Sequence, residues 1–326
     1  MLKLLIVFGG KSSEHEISCK SAGNILTYID KSKYDIELLG IDKQGNFIKY
    51  LGNEEPIKSN VWLEDLKNHV QIDNVVKHLK KFDLIFPILH GSYGEDGTIQ
   101  GMLELLDIPF VGCDLRTSAA AIDKHISKVL ASSIDVPIVP YQVLRKGEKF
   151  NLELDFPLIV KPNSSGSSCG VTKITDSSQL EKAFEEAFKY DNKVLIEKYI
   201  PAREFECAVL GNKDYLVSEI GEISSGNELY DYEAKYTLPT SVCKVPAEFE
   251  FDYVIKEYAK KISELLGVRG LSRIDFFVDK SNNDIYFNEI NTMPGFTNIS
   301  MYPKLIEHSG ISYTDLIDKL IELATK

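Results

Sequence analysis

The stretch that most constrains this chain is Leu271 to Phe296, LSRIDFFVDKSNNDIYFNEINTMPGF. Two apolar, β-branched and aromatic runs, Arg273–Asp279 and Asp284–Asn291, flank the cluster Lys280-Ser281-Asn282-Asn283. Strand-forming runs on either side of turn-forming residues predict a β-hairpin. With the turn centred near Asn282, Asp275 falls opposite Glu289 and Arg273 opposite Asn291. Side chains alternate faces with a period of two, so these four groups share one face. Two carboxylates and an amide oxygen, with no Cys or His, suit a hard cation such as Mg²⁺. A solvated face of an ordinary hairpin is the alternative. The coincidence on one face, followed at once by the tight turn Thr292-Met293-Pro294-Gly295, favours the functional reading.

The remaining chain alternates strands and helices. Leu4–Phe8 is a continuous apolar run, as expected of a buried parallel strand. It ends in GGKSSEHEIS (9–18), which leads into a helix over 18–28. Strands follow at 34–41 and 47–50. Residues 51–80 are weakly patterned, with Trp62 as a local anchor. A buried strand, 83–89, ends in HGSYGEDG (90–97), and a helix at 98–106 and a short strand at 109–112 come next. This alternation indicates an α/β layer with a mostly parallel sheet, whose ligands sit beyond the carboxyl ends of strands. Both Gly-rich segments lie at those ends. One helix over 117–131 carries Lys124 and Lys128. A β-rich block with strands at 139–144, 156–161, 171–174 and 194–197 and a helix at 179–190 follows. A third block holds strands at 204–210 and 215–223, the hairpin, and helices at 253–266 and 313–324. A length of 326 residues agrees with two domains or three small ones.

The formal charge of −12 argues against a nucleic-acid or membrane-surface partner. An anionic ligand then needs a few placed lysines and backbone N–H groups. The apolar run at the start is too short for a signal-peptide core or a bilayer span. Five scattered cysteines without C-x-x-C spacing indicate neither a disulfide framework nor a zinc site, and fit a reduced cytoplasm.

Two further segments carry chemistry. KPNSSGSSCG (161–170) lies between two strands. It reads either as an anion nest of backbone N–H groups beside Lys161 or as a flexible hairpin loop of the same composition. It is not a Walker P-loop, because the spacing is wrong and no helix follows. NELYDYEAKY (227–236) reads either as a lid that excludes water and brings Lys235 over a phosphate, or as a surface loop packing its own tyrosines.

Taken together, GGKSSEHEIS, HGSYGEDGTIQG, KPNSSGSSCG, IEKYIPAREFE, YDYEAKY and RIDFF…FNEINTMPGFTNIS occur in the order and spacing of the D-alanine–D-alanine ligases, and the chain resembles that family over essentially its whole length. The resemblance implies an α/β and α+β, three-domain ATP-grasp architecture. It comprises an N-terminal α/β substrate domain (1–115), a central ATP-grasp domain (116–200) and a C-terminal ATP-grasp domain (201–326). The C-terminal domain carries a lid loop (224–240) and the metal-binding hairpin (273–291), and the nucleotide is held between the two β-rich domains.

The resemblance also implies roles. Lys124 and Lys161 contact ATP phosphates, Glu197 receives the adenine amino group with Lys198 and Ile200 alongside, Glu204 holds the ribose, and Lys235 reaches the γ-phosphate. Asp275, Glu289 and Asn291 hold two Mg²⁺, for which Mn²⁺ can substitute. Glu14 takes the ammonium of the first D-alanine, tied to Ser167 and Tyr236, with His90 near that pocket. Arg273 and the Gly295 N–H form an oxyanion hole, and Ser300, followed by Met301, binds the second substrate. The implied product is a dipeptide for peptidoglycan precursors, made in the cytoplasm by a homodimer.

The nearest rival is a sister ligase that joins D-alanine to D-serine or D-lactate, as in vancomycin resistance. Trp62-Leu63-Glu64-Asp65 and Asn291–Phe296 resemble those relatives too. Tyr236 in the lid, Met301 where D-serine relatives carry Arg, and Ser92 where they often carry Lys favour D-alanine. Ser165, where some dipeptide ligases are acidic, leaves room for a difference in the second subsite. A non-catalytic nucleotide-binding module is disfavoured because the metal ligands and Lys235 are present. An ATP-grasp ligase with unrelated substrates is disfavoured by the Glu14 segment.

Overall fold

The computed structural model describes residues 1–224 and 242–326. Its strands form three sheets. The first contains β1 (Leu2–Gly9), β2 (Tyr34–Ile41), β3 (Phe47–Tyr50), β4 (His69–Gln71) and β5 (Leu84–Pro87) in the order β4-β3-β2-β1-β5. β1 pairs in parallel with both β2 and β5, and its alternate residues enter two different cores, Leu4, Ile6 and Phe8 on one face and Leu5 and Val7 on the other, which explains its unbroken apolar run. The outer strands β3 and β4 are antiparallel, and the strand expected at 109–112 is reduced to one parallel bridge between Phe110 and Ile85. Helices α1 (His15–Tyr28), α2 (Glu54–Lys58), α3 (Val75–Leu79) and α4 (Thr98–Leu105) accompany this sheet.

Trp62 is more than a local anchor. It is fully buried and meets Phe8 edge-on at 5.0 Å between centroids. Gly40 makes room for it, since a Cβ there would stand 2.4 Å from the indole.

The helix expected over 117–131 is two helices, α5 (Leu115–Ile122) and α6 (Lys124–Ser132). Asp123 between them is extended, and its carboxylate accepts from the Ile126 N–H at 2.9 Å, an N-cap that restarts the helix. Lys193 holds the same carboxylate at 2.5 Å.

The third sheet in space, β6-β9-β7-β8, is built from β6 (Tyr141–Arg145), β7 (Leu158–Pro162), β8 (Thr172–Ile174) and β9 (Lys193–Lys198). It has its own small core with α7 (Leu180–Ala187). The remaining sheet, β12-β11-β10-β13-β14, joins β10 (Ala202–Leu210), β11 (Leu216–Ser224), β12 (Val242–Lys244), β13 (Leu271–Asp279) and β14 (Ile285–Asn291). Helices α8 (Asp252–Leu266), α9 (Met301–His308) and α10 (Tyr313–Ala324) complete the described chain. The largest core cluster runs from β1, α1 and β5 into α9 and α10, so the C-terminal helices pack on the N-terminal layer. Asn24 of α1 seals this contact by donating to the Phe296 carbonyl at 2.9 Å.

Candidate active site

The hairpin β13–β14 pairs Asp275 with Glu289 and Arg273 with Asn291. Nearer the turn the register differs by one residue, with Phe276 opposite Phe287 and Val278 opposite Ile285. Asn288 is the extra residue of a β-bulge. Without it, strand alternation would set Asn288 opposite Asp275 and turn Glu289 to the other face. The bulge therefore lets Phe287 and Ile290 both enter the core while Asn288 and Glu289 face the lysines described below.

Arg273 makes two parallel bonds to Asp275, Nε–Oδ1 2.8 Å and Nη2–Oδ2 2.7 Å, and a third contact to Glu206 at 3.0 Å. Burial would lower this guanidinium, but Asp275 and Glu206 outweigh it and hold it firmly protonated. Asn291 donates Nδ2–H to Asp275 at 3.1 Å, which leaves its Oδ1 as the atom for a cation. Glu204, Glu206 and Asp275 bring carboxylate oxygens within 4.8 Å of one another. An all-oxygen donor set of this kind fits a hard divalent ion. Glu206 went unnoticed in the sequence. Its two-residue spacing from Glu204 on a strand was the available signal.

Lys124 opens α6, and its Nζ lies 3.2 Å from Glu289 and donates to the Ser165 carbonyl at 2.9 Å. Lys161 on β7 reaches Glu197 at 2.8 Å and Asn288 at 3.3 Å. Glu197 is therefore engaged from one side by Lys161 and from the other by Lys128, at 3.2 Å. Burial would push the Glu197 carboxyl up, but the two ammonium groups overcome it and hold it below the ordinary range. Lys128 is completely buried, and burial pushes its ammonium down to about 8. Lys198 is exposed, and Ile200 and Glu204 are half-buried.

The N-terminal layer contributes Glu14, at the start of α1, whose carboxylate accepts from the Ser167 hydroxyl at 2.5 Å. The loop 163–170 is thus tied across to α1 and, through the Ser164 N–H, to Asp191. Ser167 and Ser168 both take left-handed backbone, with φ of 52° and 56°. Gly91 packs against the same Glu14 carboxylate and suits glycine: its φ is +68°, and a Cβ would lie 2.4 Å from Glu14 Oε2.

His90 bonds the Met293 carbonyl through Nδ1 at 2.9 Å and the Ser21 hydroxyl through Nε2 at 2.9 Å. A carbonyl only accepts, so Nδ1 carries the proton and Nε2 accepts. Burial keeps this imidazole below the usual histidine range. Ser21 also accepts from the Phe296 N–H at 3.1 Å, so His90 and Ser21 clamp the 293–296 turn onto α1. Glu95, a second residue the sequence reading passed over, accepts from Gly91 N–H at 2.6 Å and Met293 N–H at 3.2 Å. Burial, and then the nearby Glu14 carboxylate, push its carboxyl up to about 8.

Gly295 is packed against Ser300, since a Cβ would stand 2.8 Å from the Ser300 hydroxyl. That hydroxyl accepts from the Thr297 N–H at 3.1 Å. Met301 begins α9 and is buried. One cleft is lined jointly by Glu14, His90, Glu95, Ser167, Glu206, Arg273, Glu289, Asn291, Gly295, Ser300 and Met301. Lys235, Tyr236 and the expected lid fall in 225–241, outside the described residues, apart from the lid's first position at Ser224, the end of β11.

Two family models match the sequence: D-ala D-ala ligase N-terminus over residues 3–113 and D-ala D-ala ligase C-terminus over 130–322. The D-alanine–D-alanine ligase of Caldicellulosiruptor bescii is 46% identical, covering 99% of this chain and 95% of that protein. The D-alanine–D-alanine ligase B of Clostridium tetani is also 46% identical, over 99% and 93%. Among solved structures, the VanG D-Ala:D-Ser ligase of Enterococcus faecalis superposes with a TM-score of 0.90 at 38% identity, covering 99% of each chain. The D-alanine–D-alanine ligase of Bacillus anthracis complexed with ATP superposes at 0.79 and 28% identity, over 99% and 97%. No helix among the described residues is long and apolar enough to cross a membrane.

Proposed function

This chain belongs to the D-alanine–D-alanine ligase family, with its ATP-grasp architecture, and we propose that it joins two D-alanine molecules at the expense of ATP through a D-alanyl phosphate. The observation that carries the proposal is the cleft in which the Glu14–Ser167 pair meets Arg273, Glu289 and Asn291 of the hairpin, with Asp275 buried behind Arg273. An ammonium-binding carboxylate and a set of oxygen donors for a phosphate-bound cation are what carboxylate activation by ATP requires.

A carboxylate is a poor electrophile. The first D-alanine, its ammonium at Glu14, attacks the γ-phosphorus of ATP, and ADP leaves. The amine of the second D-alanine, oriented by Ser300 and bordered by Met301, then attacks the acyl carbon and expels phosphate. Arg273 and the Gly295 N–H face the oxyanion, each donor worth roughly 3–4 kcal/mol in comparable sites. Asp275, Glu289 and Asn291 would hold two Mg²⁺, which supply Lewis-acid neutralisation of phosphate charge when bound. Lys124, Lys161 and Lys235 take the phosphates, Lys198 and Ile200 border the adenine, and Glu204 the ribose. Glu197 would receive the adenine amino group, its carboxylate keeping acceptor sites beyond the contacts to Lys128 and Lys161. Tyr236 and the lid would shield the acyl phosphate from water. The enzyme would act in the cytoplasm as a homodimer, with domains at 1–115, 116–200 and 201–326.

The test is product analysis after incubation with ATP, Mg²⁺ and either D-alanine alone or D-alanine with D-serine or D-lactate. D-alanyl-D-alanine with stoichiometric phosphate release is expected, and faster turnover with D-serine or D-lactate would reassign the second substrate.

A further inference from the structure

The cluster between α6, β7, β9 and β14 contains a lysine that no step above uses. Among the described residues, three ammonium groups (Lys124, Lys128, Lys161) stand against two carboxylates (Glu197, Glu289), with contacts of 2.8 to 3.2 Å. Over these five groups alone, one positive charge is left over. Lys128 is completely buried, so it cannot meet a ligand itself. Its Nζ instead reaches one Glu197 oxygen at 3.2 Å and donates to the Phe287 carbonyl, beside the bulge, at 3.4 Å. Lys161 takes the other Glu197 oxygen at 2.8 Å.

We propose that Lys128 is a positioning residue for nucleotide phosphate: by sharing Glu197 it keeps that carboxylate from cancelling Lys161, so that Lys161 retains charge for the anion. This rests on the nucleotide reading of the cleft given above. Removing Lys128 leaves Glu197 a single partner and the cluster without surplus charge, and at low local dielectric a close opposite charge is strongly felt. The effect reaches phosphate only, because adenosine carries no charge for Lys161 to meet.

The experiment measures dissociation constants of ADP and of adenosine, with Mg²⁺ present, by calorimetry on the full chain. Lys128→Met, which keeps the bulk of the side chain, is expected to weaken ADP by about tenfold and adenosine by less than about twofold. Adding Glu197→Gln to Lys128→Met releases Lys161, and the preference for ADP over adenosine returns towards wild type. Glu197→Gln alone keeps both lysines and raises that preference, which tests the idea even if Lys128→Met does not fold. A preference unchanged in Lys128→Met, parallel weakening of both ligands, or no recovery in the double variant overturns the inference. A wild-type chain that binds neither ligand overturns the nucleotide reading itself, and this inference with it.

Discussion

Asp275 faces Glu289 across the β13–β14 hairpin because β14 gains one residue at Asn288; the neighbouring pair, Phe276 and Phe287, keeps the register set by the turn. The bulge separates two demands on one strand. Phe287 and Ile290 fill the core, while Asn288 and Glu289 are delivered to the lysines of the facing elements.

Glu289→Gln removes one charge from the proposed metal site and leaves the packing unchanged. Turnover is expected to fall by at least about 10²-fold. Circular dichroism and the melting temperature should stay close to wild type. Chelation should silence the wild-type enzyme in the same way, with activity restored by added Mg²⁺. Retained turnover in the variant would remove Glu289 from the metal site.

Ser167→Ala takes away the hydroxyl that the Glu14 carboxylate accepts from. Loss of a hydrogen bond to a charged group costs about 1.5–3 kcal/mol. The prediction is a loss of roughly 10-fold or more in kcat/KM for the first D-alanine, with KM for ATP little changed. Steady-state kinetics with each substrate varied in turn distinguishes this from a general weakening of the site.

Glu95 gives a pH dependence. Its carboxyl sits at about 8 in the folded chain, against 4.5 ordinarily, because of burial and then Glu14. The folded state therefore holds a proton that the unfolded state has released. The associated stability is complete below pH 4.5 and is lost as pH rises through about 8. Glu95→Gln, neutral throughout, should flatten the fall in melting temperature between pH 6 and about 8.5. Parallel melting curves for variant and wild type across that range would show that Glu95 does not carry the dependence.

Trp62→Ala tests the core of the N-terminal layer. The indole is fully buried against Phe8 and lies over Gly40. Deleting a side chain of this size from a core costs about 3–5 kcal/mol. Denaturant unfolding should show a matching loss, and Phe8 and Tyr50 should lose their edge-on partner.

The hairpin, its turn cluster and the coincidence of Arg273, Asp275, Glu289 and Asn291 on one face were legible because strand side chains alternate with a fixed period. The unbroken run of β1 marked a strand buried on both faces, and the spaced segments marked the family. Packing alone decided the rest. The bulge at Asn288 leaves no trace in the pattern, since Asn288 and Glu289 are both polar and a turn centred one half-residue later gives the same pairs at 275 and 289. The break at Asp123 depends on Lys193 and on a cap that an Asp inside a helical run does not announce. The Lys128–Glu197–Lys161 cluster and the hold of His90 on Met293 join groups far apart in the chain. Local periodicity fixes which way a side chain points from its own element, whereas its partner is chosen by how separate elements come to rest against one another.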